Sequence, residues 1–338
     1  IQLNAGDLVA RGGSITVAAS SSSGEGAFAA AGSMTLTGTP VVVRGTGAGV
    51  FAGGRVSLTG APVSLENPTN SSYAVFAGKG GDLTDAPVEQ RGTGYGVYAS
   101  IGSLTLSGGS VNLTNSSNSQ YAVYASSGSI KATNTPVTHA GSGYGLYGGI
   151  GGVDVSGGSV KLTNTTSSNY AIYSSAGVRT ANTEIVQAGT GYGVYASNGA
   201  ADLTGGSITL SNPTNSSYAV YASNGRVTTR NVAILQAGTG YGVYASNGEV
   251  DMGGGSIALP NSANSASAVY AGNGDVTLSD LAVASSGIGL GLAVSNGSLT
   301  LRRSTVTTGN ATGSGPGISV LNGRVTIEDS TITSASKG

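Results

Sequence analysis

An internal repeat constrains this chain more than any other feature. The phrase QAGTGYGVYASNG occurs unchanged at 187–199 and 236–248, with near copies QRGTGYGVYASIG at 90–102 and HAGSGYGLYGGIG at 139–151. Aligned on its last aromatic, the series runs Phe28, Phe51, Phe76, Tyr98, Tyr124, Tyr147, Tyr173, Tyr195, Tyr221, Tyr244 and Tyr270, then Ala293 and Ser319. Steps of 22–23 residues alternate with steps of 25–26, so the true unit is a pair of about 48 residues. One such unit cannot bury its apolar face alone, and stacking on its neighbours completes the core.

Each single step holds three strand-like pieces. The first is the end of the phrase. A glycine follows four residues after the aromatic, often as Asn-Gly (198–199, 224–225, 247–248, 273–274), a pair that tolerates positive φ and marks a sharp turn. The second piece alternates apolar and polar residues, as in SLTL at 103–106 and DVTL at 275–278. The third does the same, as in SVNL at 110–113, SITL at 207–210 and TITS at 331–334. Short steps then close through GTG. Long steps insert a polar excursion: LENPTNSSY at 65–73, LTNSSNSQY at 113–121, LSNPTNSSY at 210–218. Glycine and β-branched residues are too dense for helix interiors. The expected fold is an all-β, right-handed parallel β-helix of three strands per coil and 13–14 coils, forming one domain over 1–338. Val97, Val123, Leu146, Ile172, Val194, Val220 and Val243 are its inward stack.

Composition then narrows the function. Lys and Arg total 14 and Asp and Glu 15, scattered, for a net charge of −1. Nucleic-acid binding needs a clustered basic surface, and membrane-surface binding a polybasic patch. Neither partner is expected. No apolar run approaches the ~20 residues of a membrane helix. There is no cysteine, which fits a reduced compartment or a bacterial protein exported unfolded. The chain starts at Ile1 without a signal peptide, as an excised or mature piece of a longer protein would.

The coil grammar, clearest in NGSLTLRRSTVTT (296–308) and NGRVTIEDSTITS (322–334), resembles the passenger domains of bacterial autotransporters of the pertactin-like family. Exoproteins of the two-partner, haemagglutinin type share much of this grammar and remain an alternative. The resemblance implies export, display at the bacterial outer membrane or secretion, and a role as a non-catalytic adhesin or virulence factor. Its partners would be host surface, matrix or serum proteins or glycans, with self-association possible and no cofactor. Membrane anchoring is implied for the parent chain alone. A passive spacer and a carbohydrate-active β-helix enzyme are the other readings.

An enzyme of that kind needs clustered carboxylates. Asp82, Asp85 and Glu89 are the nearest cluster, but the grammar places Asp82 and Glu89 on different strands. Glu328 and Asp329 read as ion-pair partners of Arg302 and Arg303 on the preceding coil. His139 aligns with Gln90, Gln187 and Gln236, so it belongs to a polar ladder. With one histidine and no cysteine, a zinc site is not expected. GKGGDLTD at 78–85 resembles a calcium nonapeptide only once, and GTGYG lacks the helix a nucleotide loop requires. Asn70, Asn115, Asn164 and Asn215 lie in N-x-Ser/Thr triplets and read as turn residues.

The aromatics stand out from this background. All 16 tyrosines and three phenylalanines occupy the first or fourth position of the phrase. If the valine before it points inward, the fourth-position aromatic points outward. Phe76, Tyr98, Tyr124, Tyr147, Tyr173, Tyr195, Tyr221, Tyr244 and Tyr270 are the candidate binding ladder. The direction of the first tyrosine is open, because Glu25, Ser267 and Pro316 share its place.

Overall fold

One coil shows how the sequence becomes structure. Val97–Ala99, Leu104–Ser107 and Val111–Leu113 are its three strands. In each, the apolar residues at alternate positions are buried: Val97, Ala99, Leu104, Leu106, Val111 and Leu113 are all 0–2% exposed. The next coil repeats this in register, with Val97 beside Val123, Leu104 beside Ile130 and Val111 beside Val137. Every such pairing is parallel, so like stacks on like.

The computed structural model describes residues 1–21, 23–309 and 316–335. Among them there is no helix. The chain divides into two compact units, Ile1–Ser167 and Ser168–Gly338. Each is a three-strand parallel β-solenoid, and the turns number about 13 in all. In the first unit the phrase strands run from Gln2–Leu3 to Leu146–Gly148. In the second they run from Ile172–Ser174 to Ile318–Asn322. Second and third strands fuse there into Val227–Gln236 and Val250–Leu259, bent at Asn231 and at Gly254 and Gly255.

That bend explains an alternation in the sequence. It requires φ > 0, which Asn and Asp tolerate better than other non-glycine residues. Asp85, Asn134, Asn182, Asn231 and Asp280 supply it at φ of 48–55°, and glycine pairs supply it in the intervening coils. Asp85, one of the carboxylates considered for chemistry, is therefore a turn residue.

The excursions alternate for a second reason. Asn70 and Asn215 are fully buried, as are Asn118 and Asn264 at the same place in other excursions. Asn215 Nδ2 donates to Gly189 O and Gly191 O, both at 2.9 Å, and its Oδ1 accepts from Ser217 N at 2.7 Å. Its own carbonyl accepts from Thr239 N and Gly240 N of the following tight corner at 2.7 and 3.1 Å. One asparagine thus ties down the tight corners on both sides. At the start of each excursion a second asparagine reaches two coils back: Asn115 Nδ2 to Pro68 O at 3.1 Å, Asn261 Nδ2 to Pro213 O at 3.0 Å. The excursions therefore form their own stack with the 48-residue period. In the N-x-Ser/Thr triplets on the excursions, the asparagines Asn70, Asn115, Asn164 and Asn215 serve these turns.

Candidate functional site

The polar ladder containing His139 is internal. Gln90, His139, Gln187 and Gln236 are 0% exposed. Gln236 Nε2 donates to Ser217 O at 2.7 Å, and its Oε1 accepts from Gly238 N at 2.7 Å. His139 makes the same two bonds. Gly141 N donates to Nδ1 at 2.9 Å, which puts the ring proton on Nε2, 2.7 Å from Gln120 O. A neutral imidazole imitates glutamine here. Burial pulls its pKa down to about 4, against the partial compensation of the Gln120 carbonyl. The ring has a brace on each nitrogen and no carboxylate beside it.

The carboxylates are dispersed in the same way. Asp82 pairs with Arg55 at 2.7 Å and Glu89 with Arg91 at 2.8 Å. Glu328 pairs with Arg302 at 2.8 Å, and Asp280 holds Arg303 through two bonds of 2.8 Å. Among the described residues, no three His, Asp or Glu side chains come together as a metal site requires.

The aromatics are brought together. Strand register places Tyr98 between Phe76 and Tyr124, flanked by Val97 and Ala99 of the core. The fourth-position rings do point outward, but they are half-buried. The cause is the first-position tyrosine, whose direction the sequence left open. It also lies on the outside and packs against the fourth-position ring of its own phrase: Tyr95 to Tyr98 at 5.5 Å between centroids, Tyr121 to Tyr124 at 4.6 Å, Tyr218 to Tyr221 at 4.9 Å. The result in each unit is a double column.

Within the columns the rings use their faces on each other. In the first unit Phe51 and Phe76 stack at 4.3 Å and 6°, and Phe76 and Tyr98 at 5.4 Å and 11°. In the second unit the fourth-position column alternates. Tyr195–Tyr221 and Tyr244–Tyr270, across long steps, stack at 4.7 and 4.6 Å, both at 21°. Tyr173–Tyr195 and Tyr221–Tyr244, across short steps, meet edge-to-face at 75° and 77°. Offset-stacked and edge-to-face pairs are the favoured geometries, worth about 0.5–1.5 kcal/mol beyond area burial.

Two phenols are pinned by the following coil, Tyr221 Oη to Ser246 Oγ at 3.1 Å and Tyr270 Oη to Ser295 Oγ at 2.9 Å. Desolvation, and then the neighbouring tyrosines, push Tyr121 and Tyr192 up to about 12 and raise Tyr95, Tyr98, Tyr218, Tyr241 and Tyr244. The surface is therefore an uncharged strip of ring edges and phenol hydroxyls at neutral pH. Its repeat is the strand spacing, ~4.8 Å.

No protein family matches the chain, nor does any curated protein or solved structure.

Proposed function

We propose that this chain is a non-catalytic binding protein, a surface-displayed or secreted bacterial adhesin whose double aromatic column meets a host protein or glycan. The observation that carries this reading is the concentration of every tyrosine and phenylalanine on one half-exposed strip of each solenoid unit. Tyrosine is favoured at interfaces because it offers a large, stiff, apolar body with a polar tip. Ring faces are largely occupied by neighbouring rings, so a partner meets edges and hydroxyls. That favours a hydrogen-bonding partner lying along the column over a sugar stacked face-on. Pairing of the carboxylates with arginines supports the non-catalytic part. The resemblance to autotransporter passengers, and the two-partner alternative, bear on display at the cell surface.

A spacer role draws on the same stacking, since register-fixing aromatic pairs need no partner. Binding of serum and matrix proteins to the purified chain separates the two. The triple variant Tyr195→Ser, Tyr221→Ser, Tyr244→Ser is expected to lose at least tenfold in affinity while keeping a β circular-dichroism spectrum. Unchanged binding would remove the column as the site, and no binding by the parent chain would leave the spacer.

A further inference from the structure

The tyrosine columns are also where an oxidant meets this chain. There is no cysteine and no tryptophan. The two methionines, Met34 and Met252, are enclosed at 1% and 0% exposure, and the single histidine at 0%. The usual sinks for oxidising equivalents are thus absent or buried, while the tyrosines are half-exposed and adjacent. Successive fourth-position rings from Tyr173 to Tyr270 lie 4.6–5.4 Å apart, and the first-position rings join the same stack.

We propose that the ladder is an oxidative modification site, at which stacked tyrosines on successive coils couple to dityrosine when a haem peroxidase and hydrogen peroxide act on the protein. Each of two phenols gives one electron to the peroxidase and one proton to solvent. The two radicals join through a carbon–carbon bond ortho to their oxygens. The hydrogens displaced from those carbons return to the oxygens as the rings regain aromaticity. The pair has then lost two electrons and two protons, which reduce one peroxide to two waters. The in-register strands hold the two backbones ~4.8 Å apart, and the outward rings swing from face-to-face to edge-to-edge to make the bond. A hole placed on any ring moves along the stack, so links collect at the stacked pairs, Tyr195–Tyr221 and Tyr244–Tyr270. Each link staples two coils covalently, in a chain that has no disulfide to do so. The inference stands whether or not the column also binds a partner.

The test treats the whole folded chain with a haem peroxidase and hydrogen peroxide. The expected product is a monomer on a denaturing gel with dityrosine fluorescence, two hydrogens lighter per link, whose protease fragments join 195 to 221 and 244 to 270. Tyr244→Phe keeps the ring and the stack but has no phenol. It is expected to reduce the 244–270 link to background and spare the 195–221 link. Fluorescence confined to covalent oligomers, oxygenated tyrosines without links, or links scattered among non-neighbouring tyrosines would overturn the proposal.

Discussion

At the scale of the residue, this fold is held by side-chain amides facing backbone carbonyls of the preceding coil. Asn215→Ala would leave Gly189 O, Gly191 O and Ser217 N without partners in a buried corner. An unsatisfied buried group costs about 1–3 kcal/mol, so a loss near 3 kcal/mol is expected in urea unfolding. His139 gives a pH dependence. Its folded form is neutral, with a pKa near 4 against about 6.5 in the unfolded chain. Its contribution is fully present above pH 6.5 and is lost as pH falls from there to 4, amounting to about 3 kcal/mol. His139→Gln keeps both bonds and removes the titration. The variant is expected to unfold at lower pH than the parent, and equal acid midpoints would refute the brace. The Gln–His column was legible, because alignment put His139 among glutamines. The buried Asn118 and Asn264 were not, since what selects them lies on another coil: the carbonyls of Gly92 and Gly94 for Asn118, and that of Gly240 for Asn264.

At the scale of the element, the alternation of tight and bulged corners is a packing solution. Gly193, between a first-position tyrosine and an inward valine, sits under the next coil. A Cβ there would lie 2.6 Å from Ala219 O and 2.8 Å from Ile208 Cγ2. In the bulged coils the same place is alanine, as at Ala122 and Ala219. Gly193→Ala is expected to cost ~1–3 kcal/mol by overpacking, measured as a lowered urea midpoint, although alanine is tolerated one coil away. Strand positions and the inward valine stack were readable from period-two alternation alone. The half-burial of the ladder was not. Alternation tells which face a side chain takes, whereas the cover over that face comes from a corner tyrosine whose orientation depends on the ring beside it.

At the scale of the whole molecule, stability in a stacked repeat is close to a sum of coil and neighbour terms. The sum here runs over pairs. Deleting 196–244 in the second unit joins Tyr195 to the same four residues, ASNG, that follow it natively, and preserves the alternation. Deleting 196–221 joins it to ASNG as well but removes Asn215 and Ser217, the latter the partner of Gln236. Thermal melting is expected to rank the parent and the pair deletion together and the shorter deletion clearly below, although it removes fewer residues. The outer turns of the second unit carry one more column, in which Asn224, Asn247, Asn273, Asn296 and Asn322 each donate to the side-chain oxygen of the asparagine before it, back to Asn198, at 2.8–3.1 Å. Every one of these precedes glycine, the pairing in which the next backbone nitrogen most readily attacks the side chain and deamidates it. Four of those nitrogens are engaged: Gly225, Gly248, Gly274 and Gly297 donate to Asn247, Asn273, Asn296 and Asn322 carbonyls at 2.8–3.0 Å. Stacking therefore slows the chemical clock built into the sequence, and the chain ages at the rate at which its coils come apart.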